Sequence, residues 1–225
     1  MNKITGLIRR LPRWVEVVLV LVFCFGHSVV ISVLQFTGTG PARLVEFADA
    51  PVIELVVFEV VIGGVCIGLL CLRYFKIWEA VNFKPTIKGV AGAVGLFLAT
   101  YVLYTIFYNL IYLAFGFKVT GTPLSITVSL PVIVLLSFVN PIFEEVFVVG
   151  YLFERLRNIN PALIIAISVL IRVSYHLYQG WIGIISVTPM AILFAVTYWK
   201  TRNLFPLVLS HTMLDFTGLV AASSQ

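Results

Sequence analysis

Long apolar runs, separated by short polar junctions, make up most of the sequence. An α-helix needs about 20 mostly apolar residues to cross the hydrocarbon core of a bilayer, which is about 30 Å thick. The junctions carry proline, glycine or charge, as in Lys84-Pro85 and Gly121-Thr-Pro123. The pattern therefore predicts an all-α, polytopic membrane helix bundle with seven transmembrane helices. Their predicted bounds are 14–34, 52–72, 89–115, 124–156, 161–177, 182–199 and 204–221.

The fourth run allows a second division of the chain. Pro131 and the Asn140-Pro141 pair can split it into two helices, which gives eight helices instead of seven. The sidedness of the chain then inverts from residue 155 onward and leaves four positive residues on the far side. We adopt seven helices because that division separates the charges better.

Lysine and arginine are distributed unevenly between the two predicted sides of the membrane. With seven helices, twelve of them share one side, Arg43 and Lys118 lie on the other, and Arg172 falls within a helix. Cytoplasmic loops are enriched in lysine and arginine. We therefore predict a multi-pass membrane protein with a cytoplasmic N-terminus, and the expected location is a bacterial plasma membrane. The twelve residues are Lys3, Arg9, Arg10, Arg13, Arg73, Lys76, Lys84, Lys88, Arg155, Arg157, Lys200 and Arg202.

Composition supports a membrane protein and excludes other classes. Only 11% of the residues are charged and 60% are hydrophobic, with a mean hydropathy of +1.07. A soluble domain has about 25% charged residues. The net charge of +5 comes from short basic clusters and not from a stripe, so nucleic acid is not an expected partner. The first apolar run has no cleavage site and is predicted to be a spanning helix.

Six ionisable residues fall at membrane depth in the last hundred positions. Such residues normally face the interior of a bundle and pair with one another, and they mark functional sites. Arg172 and His176 are four residues apart, as are His211 and Asp215, so each pair shares one helical face. Three helices thus present polar pairs that can meet in one pocket. The six are Glu144, Glu145, Arg172, His176, His211 and Asp215.

Four further ionisable residues in or near the predicted helices are expected to stand alone. They are Glu16, His27, Glu54 and Glu59.

Carboxylates beside histidines suit water activation and stabilisation of an oxyanion. Three other interpretations remain open: a structural network, a zinc site built from two histidines and two acids, and a proton relay in a small transporter. The transporter is the weaker interpretation, because the sequence has no pair of glycine- or proline-interrupted segments at matching positions of two halves. The chain has neither a His-Glu-x-x-His zinc helix nor a Gly-x-Ser-x-Gly elbow.

Three short motifs resemble those of the CPBP family, also called Abi, which comprises CAAX proteases and bacteriocin-processing enzymes. Glu144-Glu145 followed by Gly150-Tyr151-Leu152-Phe153 resembles the family motif Glu-Glu-x-x-x-Arg-Gly. The segment RVSYHLYQG matches the histidine of Phe-x-x-x-His with His176, and LSHTMLD matches His-x-x-x-Asn/Asp. The resemblance suggests one membrane domain, 1–225, with N-terminal helices at 1–116 and a catalytic core at 124–220.

The resemblance implies a glutamic-type intramembrane endopeptidase. Glu144, helped by His176, would activate a water, and His211 with Asp215 would stabilise the oxyanion. Asp215 would either be protonated or orient His211, and Glu145 would support the site. The implied partners are the lipid bilayer and a membrane-associated substrate: a CAAX-type C-terminus, a bacteriocin leader or a signalling peptide. No cofactor and no metal are expected. The alternative is a non-proteolytic membrane scaffold or regulator of the same fold.

Two positions depart from the family motifs. Val149 stands where the family has arginine, and Arg172 stands where it has phenylalanine. Residue 172 is about 16 Å along a helix that begins at Pro161, which is too deep for the side chain to reach either surface. We therefore expect Arg172 to replace the missing guanidinium and to pair with Glu145 or Glu144.

Overall fold

A computed structural model describes residues 11–39, 45–73, 82–116, 121 and 124–223. This part of the chain is a helical bundle, as the sequence predicts. Six residues of the charge count (Lys3, Arg9, Arg10, Arg43, Lys76 and Lys118) lie outside it. The helices are α1 Arg13–Phe36, α2 Asp49–Leu72, α3 Ile87–Phe115, α4 Leu130–Arg155, α5 Pro161–His176, α6 Gly180–Thr201 and α7 Phe205–Ser223; the strands are β1 Val45–Ala48 and β2 Leu124–Thr127.

The described residues contain six helical segments that are long and apolar enough to cross a membrane. The predicted helices 161–177 and 182–199 form one of these segments, Pro161–Thr201, interrupted by a 3₁₀ turn at Leu177–Gln179. α5 alone has 16 residues, which is short for a bilayer. An integral, multi-pass membrane protein is thus confirmed, whereas the count of seven or eight spanning helices is not.

The fourth apolar run forms one continuous helix. Pro131 lies in the first turn of α4, where a missing N–H is tolerated, and Pro141 lies inside the helix. The segment Glu145–Tyr151 that follows is π-helical, and Leu152–Arg155 returns to α-helix. The beginning of the predicted run differs, because Leu124–Thr127 is a strand.

One end of the bundle, here called the strand end, is held together by backbone pairing. β1 and β2 pair in parallel, with Val45 opposite Leu124 and Ala48 opposite Thr127. An isolated bridge joins Gly121 to Gly180, next to the 3₁₀ turn. The connections after α1, α3 and α5 therefore meet at the strand end.

The opposite end, here called the basic end, is held together by ion pairs. The Glu16 carboxylate, 4% exposed, forms an ion pair with Arg73 at 2.5 Å. It accepts hydrogen bonds from Arg155 at 2.6 and 2.7 Å and from the Tyr151 hydroxyl at 3.0 Å. These contacts join the start of α1 to the ends of α2 and α4.

Hydrogen bonds also join the start of α3 to the connection before α7 at the basic end. The Asn203 amide accepts from the Lys84 backbone N–H at 3.1 Å and donates to the Lys84 carbonyl at 3.2 Å. Every lysine and arginine of the described part except Arg172 lies at or near the basic end. They are Arg13, Arg73, Lys84, Lys88, Arg155, Arg157, Lys200 and Arg202.

The outer surface of α1–α3 is apolar, as a lipid-facing surface must be. Large apolar side chains on these helices are exposed, among them Val22, Val61 and Leu113. The core, in contrast, is centred on the π-helical segment of α4, all of whose seven residues are buried. The first three helices thus face lipid, and α4 lies at the centre of the bundle.

We expect Glu16→Gln to lower the free energy of unfolding by about 2 kcal/mol, because Arg73 and Arg155 lose a shared, charge-assisted acceptor. Thermal or denaturant unfolding of the purified protein in detergent measures this. Glu154→Gln is the matched control: its partner Arg157 is 66% exposed, so the loss should stay below about 1 kcal/mol. Equal losses for the two variants would contradict a role for Glu16 in holding the basic end.

The charge count predicts that the basic end faces the cytoplasm. A cysteine introduced at Asn203 should therefore react with a membrane-impermeant thiol reagent in inverted vesicles and not in intact cells. The same holds for a cysteine at Lys84. Labelling of either position from outside intact cells would contradict the predicted orientation.

Candidate active site

All six ionisable residues singled out in the sequence lie close together, at the junction of α4, α5 and α7. Four of them are nearly or completely buried: Glu144, Glu145, Arg172 and His211. Buried charges are stable only when they are paired and hydrogen-bonded. These four residues are paired through a chain of contacts that begins at Arg172, although Arg172 Nε and Glu145 Oε2 have no hydrogen-bond partner in the described part.

Arg172 joins the two adjacent carboxylates. Its side chain is fully buried, with one terminal nitrogen 3.0 Å from Glu144 Oε2 and the other 2.8 Å from Glu145 Oε1. The expected internal pairing of Arg172 is thus present, with both candidates instead of one. A planar guanidinium suits this task because its donors diverge in a fixed fork.

The π-helical segment explains how two adjacent glutamates can both face inward. Neighbouring residues of a regular α-helix point about 100° apart, so one of them usually turns away from a given partner. The chain changes from α- to π-helix between Glu144 and Glu145, and Pro141 precedes that change by one turn. Both carboxylates are buried here. π-helical turns are rare and occur frequently at functional sites.

Both hydrogen bonds to Glu144 arrive at the same oxygen. Oε2 accepts from Arg172 and, at 2.6 Å, from the Tyr175 hydroxyl. Oε1 has no partner among the described residues. Since Glu144 also lines the cavity described below, Oε1 is available for a water or a substrate.

His211 lies between two carboxylates. Its Nδ1 is 2.8 Å from Glu145 Oε1, and its Nε2 is 3.4 Å from Asp215 Oδ1. Asp215 in turn accepts a bond from the Asn140 amide at 3.2 Å. Asp215 and Asn140 line the cavity, whereas Glu145, Arg172 and His211 lie behind its wall.

His176 is the one predicted residue without a polar contact. Both of its ring nitrogens are buried and lack a hydrogen-bond partner in the described part of the chain. Its ring packs against Tyr175, with the ring centroids 4.7 Å apart, and it lines the cavity. Glu144 and His176 thus face the same space without bonding directly, so cooperation between them requires a water or substrate.

A cavity of about 520 Å³ contains the accessible part of the site. Its polar lining includes Glu59, Asn140, Glu144, His176 and Asp215. The remaining wall is largely apolar, and no lysine or arginine of the described part lines it. A cavity of this size and composition is typical of a small-molecule or peptide site.

Sequence reasoning missed two residues that contact the catalytic candidates. Tyr175, which donates to Glu144, precedes the motif histidine and lies one turn after Arg172 on the same face. Asn140 lies one turn before Glu144, and the sequence had suggested only a helix break there. Spacing of three or four residues from a motif member is the signal that could have identified both.

Three residues expected to stand alone do not, and one of them, His27 of α1, lines the cavity. Glu16 binds three side chains at the basic end. Glu59, 4% exposed, lines the cavity, and its Oε2 is buried without a partner in the described part. Their position in the first two helices, far from the motifs in sequence, hid these roles.

α1 supports the site from outside the motif region. The Ser32 hydroxyl donates to the Tyr175 carbonyl at 2.7 Å. The Phe25 ring stacks on the Tyr175 ring, with the centroids 5.0 Å apart and the planes 14° apart. Tyr175 is therefore held on both its backbone and its ring while it donates to Glu144.

Glu144, Glu145 and His211 could in geometric terms hold a metal ion, since one ligand atom of each lies within 4.8 Å of the others. However, the Arg172 guanidinium binds both carboxylates. A divalent cation would have to share these oxygens with a permanent positive charge 3 Å away, which is electrostatically unfavourable. The donor set therefore suits a guanidinium better than a zinc ion.

Residues 126–217 match the family described as Rce1-like, type II CAAX prenyl endopeptidase. The matched region begins in β2 and ends in α7, so it includes all six clustered residues. The match supports the resemblance of this region to the CPBP family of CAAX proteases. Comparison with curated proteins and with solved structures gives no match.

The match sets an expectation for the general class of the protein. It supports a CAAX-type intramembrane protease in general, and the described part has six helical segments that are long and apolar enough to cross a membrane. The N-terminal helices α1–α3 lie outside the matched region, although α1 and α2 line the cavity of the site.

Proposed function

We propose that the chain is a glutamic-type intramembrane endopeptidase in which Glu144 activates the attacking water. The observation that carries this proposal is the asymmetry of Glu144. Arg172 and Tyr175 hold Oε2, while Oε1 is unpartnered in a residue that lines the cavity. A general base needs this combination of fixed orientation and one accessible lone pair.

In the proposed reaction, a water bound to Glu144 Oε1 loses a proton to the carboxylate and attacks the scissile carbonyl carbon. The tetrahedral intermediate carries the negative charge on the former carbonyl oxygen. Collapse of the intermediate breaks the C–N bond, and Glu144 returns the proton to the leaving amine. His176 lines the cavity, and its ring nitrogens have no protein partner among the described residues; we assign to it the binding of the water or the carbonyl.

For Asp215 we propose the orienting role. Its carboxylate faces His211 Nε2 at 3.4 Å and accepts from Asn140, so both contacts favour the ionised form. An ionised carboxylate repels an oxyanion. Asp215 would therefore fix His211, whose other nitrogen contacts Glu145. His211 does not line the cavity, so in this arrangement it would not donate a hydrogen bond to the oxyanion. It would instead stabilise the oxyanion through its positive charge.

Arg172 is proposed to take over the task of the arginine that the family has at position 149. Val149 is buried in the apolar core, whereas Arg172 contacts both motif glutamates. The substitution would thus preserve the charge balance of the site with a guanidinium from α5 instead of α4.

The decisive experiment compares the membrane peptidomes of cells that produce wild-type protein and Glu144→Ala. We expect at least one membrane-associated peptide or protein to accumulate uncut in the variant. Glu54→Ala is the matched control, since Glu54 is an exposed glutamate of α2. Unchanged cleavage in Glu144→Ala cells, together with retained binding of partner proteins, would favour the membrane scaffold instead.

Chelation separates the proposal from metal catalysis. We expect purified protein to retain its peptidase activity after treatment with EDTA or 1,10-phenanthroline, because Arg172 occupies the position between the carboxylates. Activity on a cleavable reporter peptide is the measurement. Loss of activity that zinc restores would show that a metal ion, and not Glu144 alone, activates the water.

A further inference from the structure

The cavity of the site extends toward one end of the bundle. Its lining includes Gln35 near the end of α1, Phe47 of β1, Ile126 of β2 and Gln179 of the 3₁₀ turn. All four belong to the strand end. Leu219, near the end of α7, completes this part of the wall. The cavity is open and not enclosed, so it joins Glu144 to the strand end.

The basic end closes the other side of the site. Below the cavity lie the packed residues of the π-helical segment, and beyond them Tyr151 and Arg155 bind Glu16. None of the residues in this ion-pair network lines the cavity. A path from Glu144 to the basic end would have to cross this packed layer.

The distribution of charge assigns the two ends to the two sides of the membrane. Eight lysines and arginines of the described part lie at or near the basic end and none lies at the strand end. The seven-helix division of the sequence predicts four more on the same side, against Arg43 and Lys118 on the other. Such a bias marks the cytoplasmic side. The strand end therefore faces away from the cytoplasm.

We infer that the site opens to the extracytoplasmic side, and that its substrate is a segment of an exported or membrane-anchored protein that reaches the site after translocation. The inference rests on the proposed function for its substrate, but the direction of access rests on geometry and charge alone. Of the three substrate classes that the resemblance suggests, it disfavours a CAAX-type C-terminus presented from the cytoplasm.

The cavity wall adds a requirement for the sequence of this segment. Glu59, Glu144 and Asp215 all line the cavity, and no lysine or arginine of the described part lines it. Arg172 and His211 contact Glu144 and Asp215 from behind the cavity wall, whereas the cavity surface itself presents carboxylates. Most of the remaining wall is apolar, with Phe25, Phe58 and further aliphatic and aromatic side chains. Like charges brought together in a desolvated site cost several kcal/mol. The segment should therefore be apolar around the cleaved bond and free of acidic residues.

Thiol accessibility tests the direction of access without any substrate. The background variant replaces Cys24, Cys66 and Cys71 by alanine, and single cysteines are then introduced at Gln35 or Gln179 in the cavity mouth. A charged, membrane-impermeant methanethiosulfonate is applied to intact cells and to inverted vesicles. We expect at least tenfold faster modification in intact cells at both positions. Asn203→Cys in the same background should show the opposite preference.

Three results would overturn the inference. The first is modification of the mouth cysteines only in inverted vesicles, and the second is modification of Asn203→Cys from outside. The third is modification from neither side by the charged reagent combined with reaction toward a lipid-soluble maleimide, which would show that the cavity opens into lipid. Two positions are used so that the direction of access can still be measured if one of the variants fails to fold.

The peptidome tests the substrate class separately. Peptides that accumulate in Glu144→Ala cells should map to extracytoplasmic segments and lack Asp and Glu within three residues of the cleaved bond. Cytoplasmic peptides would contradict the inference and leave the proposed protease intact. If no peptide accumulates while Gln35→Cys is still modified from outside, the proposed function fails and the direction of access stands.

Discussion

Glu144→Gln should reduce peptidase activity by about 10² to 10⁴-fold, the range that general-base catalysis contributes. The amide is isosteric with the carboxylate and can still accept from Arg172 and Tyr175 through its oxygen. It cannot take a proton from water at neutral pH. The measurement is the turnover of a peptide found uncut in Glu144→Ala cells, with purified wild type and variant at equal concentration.

Two variants make the result for Glu144→Gln specific. Glu54→Gln changes an exposed glutamate of α2 and should leave turnover within twofold of wild type. Glu145→Gln should also lower activity, but together with the melting temperature, because Glu145 is fully buried between Arg172 and His211. Near wild-type turnover by Glu144→Gln would exclude Glu144 as the base.

Arg172→Phe should lower the free energy of unfolding by about 3–5 kcal/mol, the cost of breaking a buried ion pair from one side. The change leaves Glu144 and Glu145 adjacent, buried and without their shared cation. The measurement is denaturant unfolding in detergent. Arg157→Phe, at a side chain that is 66% exposed, is the control and should change stability by less than about 0.5 kcal/mol.

A double-mutant cycle tests the proposed exchange of arginines. Val149→Arg alone inserts a charge into a buried apolar position and should destabilise the protein. Combined with Arg172→Phe it restores the family pattern and should recover part of the lost stability and activity. We expect a coupling energy of about 1–3 kcal/mol, the size found for residues in one network. Additive losses would refute the exchange.

The sequence predicted the helices well because lipid leaves few alternatives for the backbone. Helix α1 was predicted at 14–34 and spans Arg13–Phe36; α3 was predicted at 89–115 and spans Ile87–Phe115. Any spanning segment must satisfy its own hydrogen bonds, so apolar length alone indicates a helix. The same argument does not apply outside the bilayer, and the pairing of β1 with β2 was not predicted.

The sequence predicted which residues form the site better than it predicted the contacts between them. Spacing placed Arg172 with His176 and His211 with Asp215, and motif order grouped all six residues. The Tyr175 hydroxyl donates to Oε2 of Glu144, and the His176 ring nitrogens have no hydrogen-bond partner in the described part. Both features depend on the rotation of the helices and on the change from α- to π-helix in α4. Neither is encoded in residue spacing, and Glu59 came from a helix with no motif at all.

The support of Tyr175 by α1 bears on how members of this family can be recombined. The family match begins at residue 126, but the carbonyl and ring of Tyr175 rest on Ser32 and Phe25, more than a hundred residues earlier. In a chimaera of the matched region with the N-terminal helices of another protein, different side chains would contact Tyr175. The start of the matched region is thus not a boundary between independent structural units. Phe25 and Ser32 would have to be transferred together with the matched region.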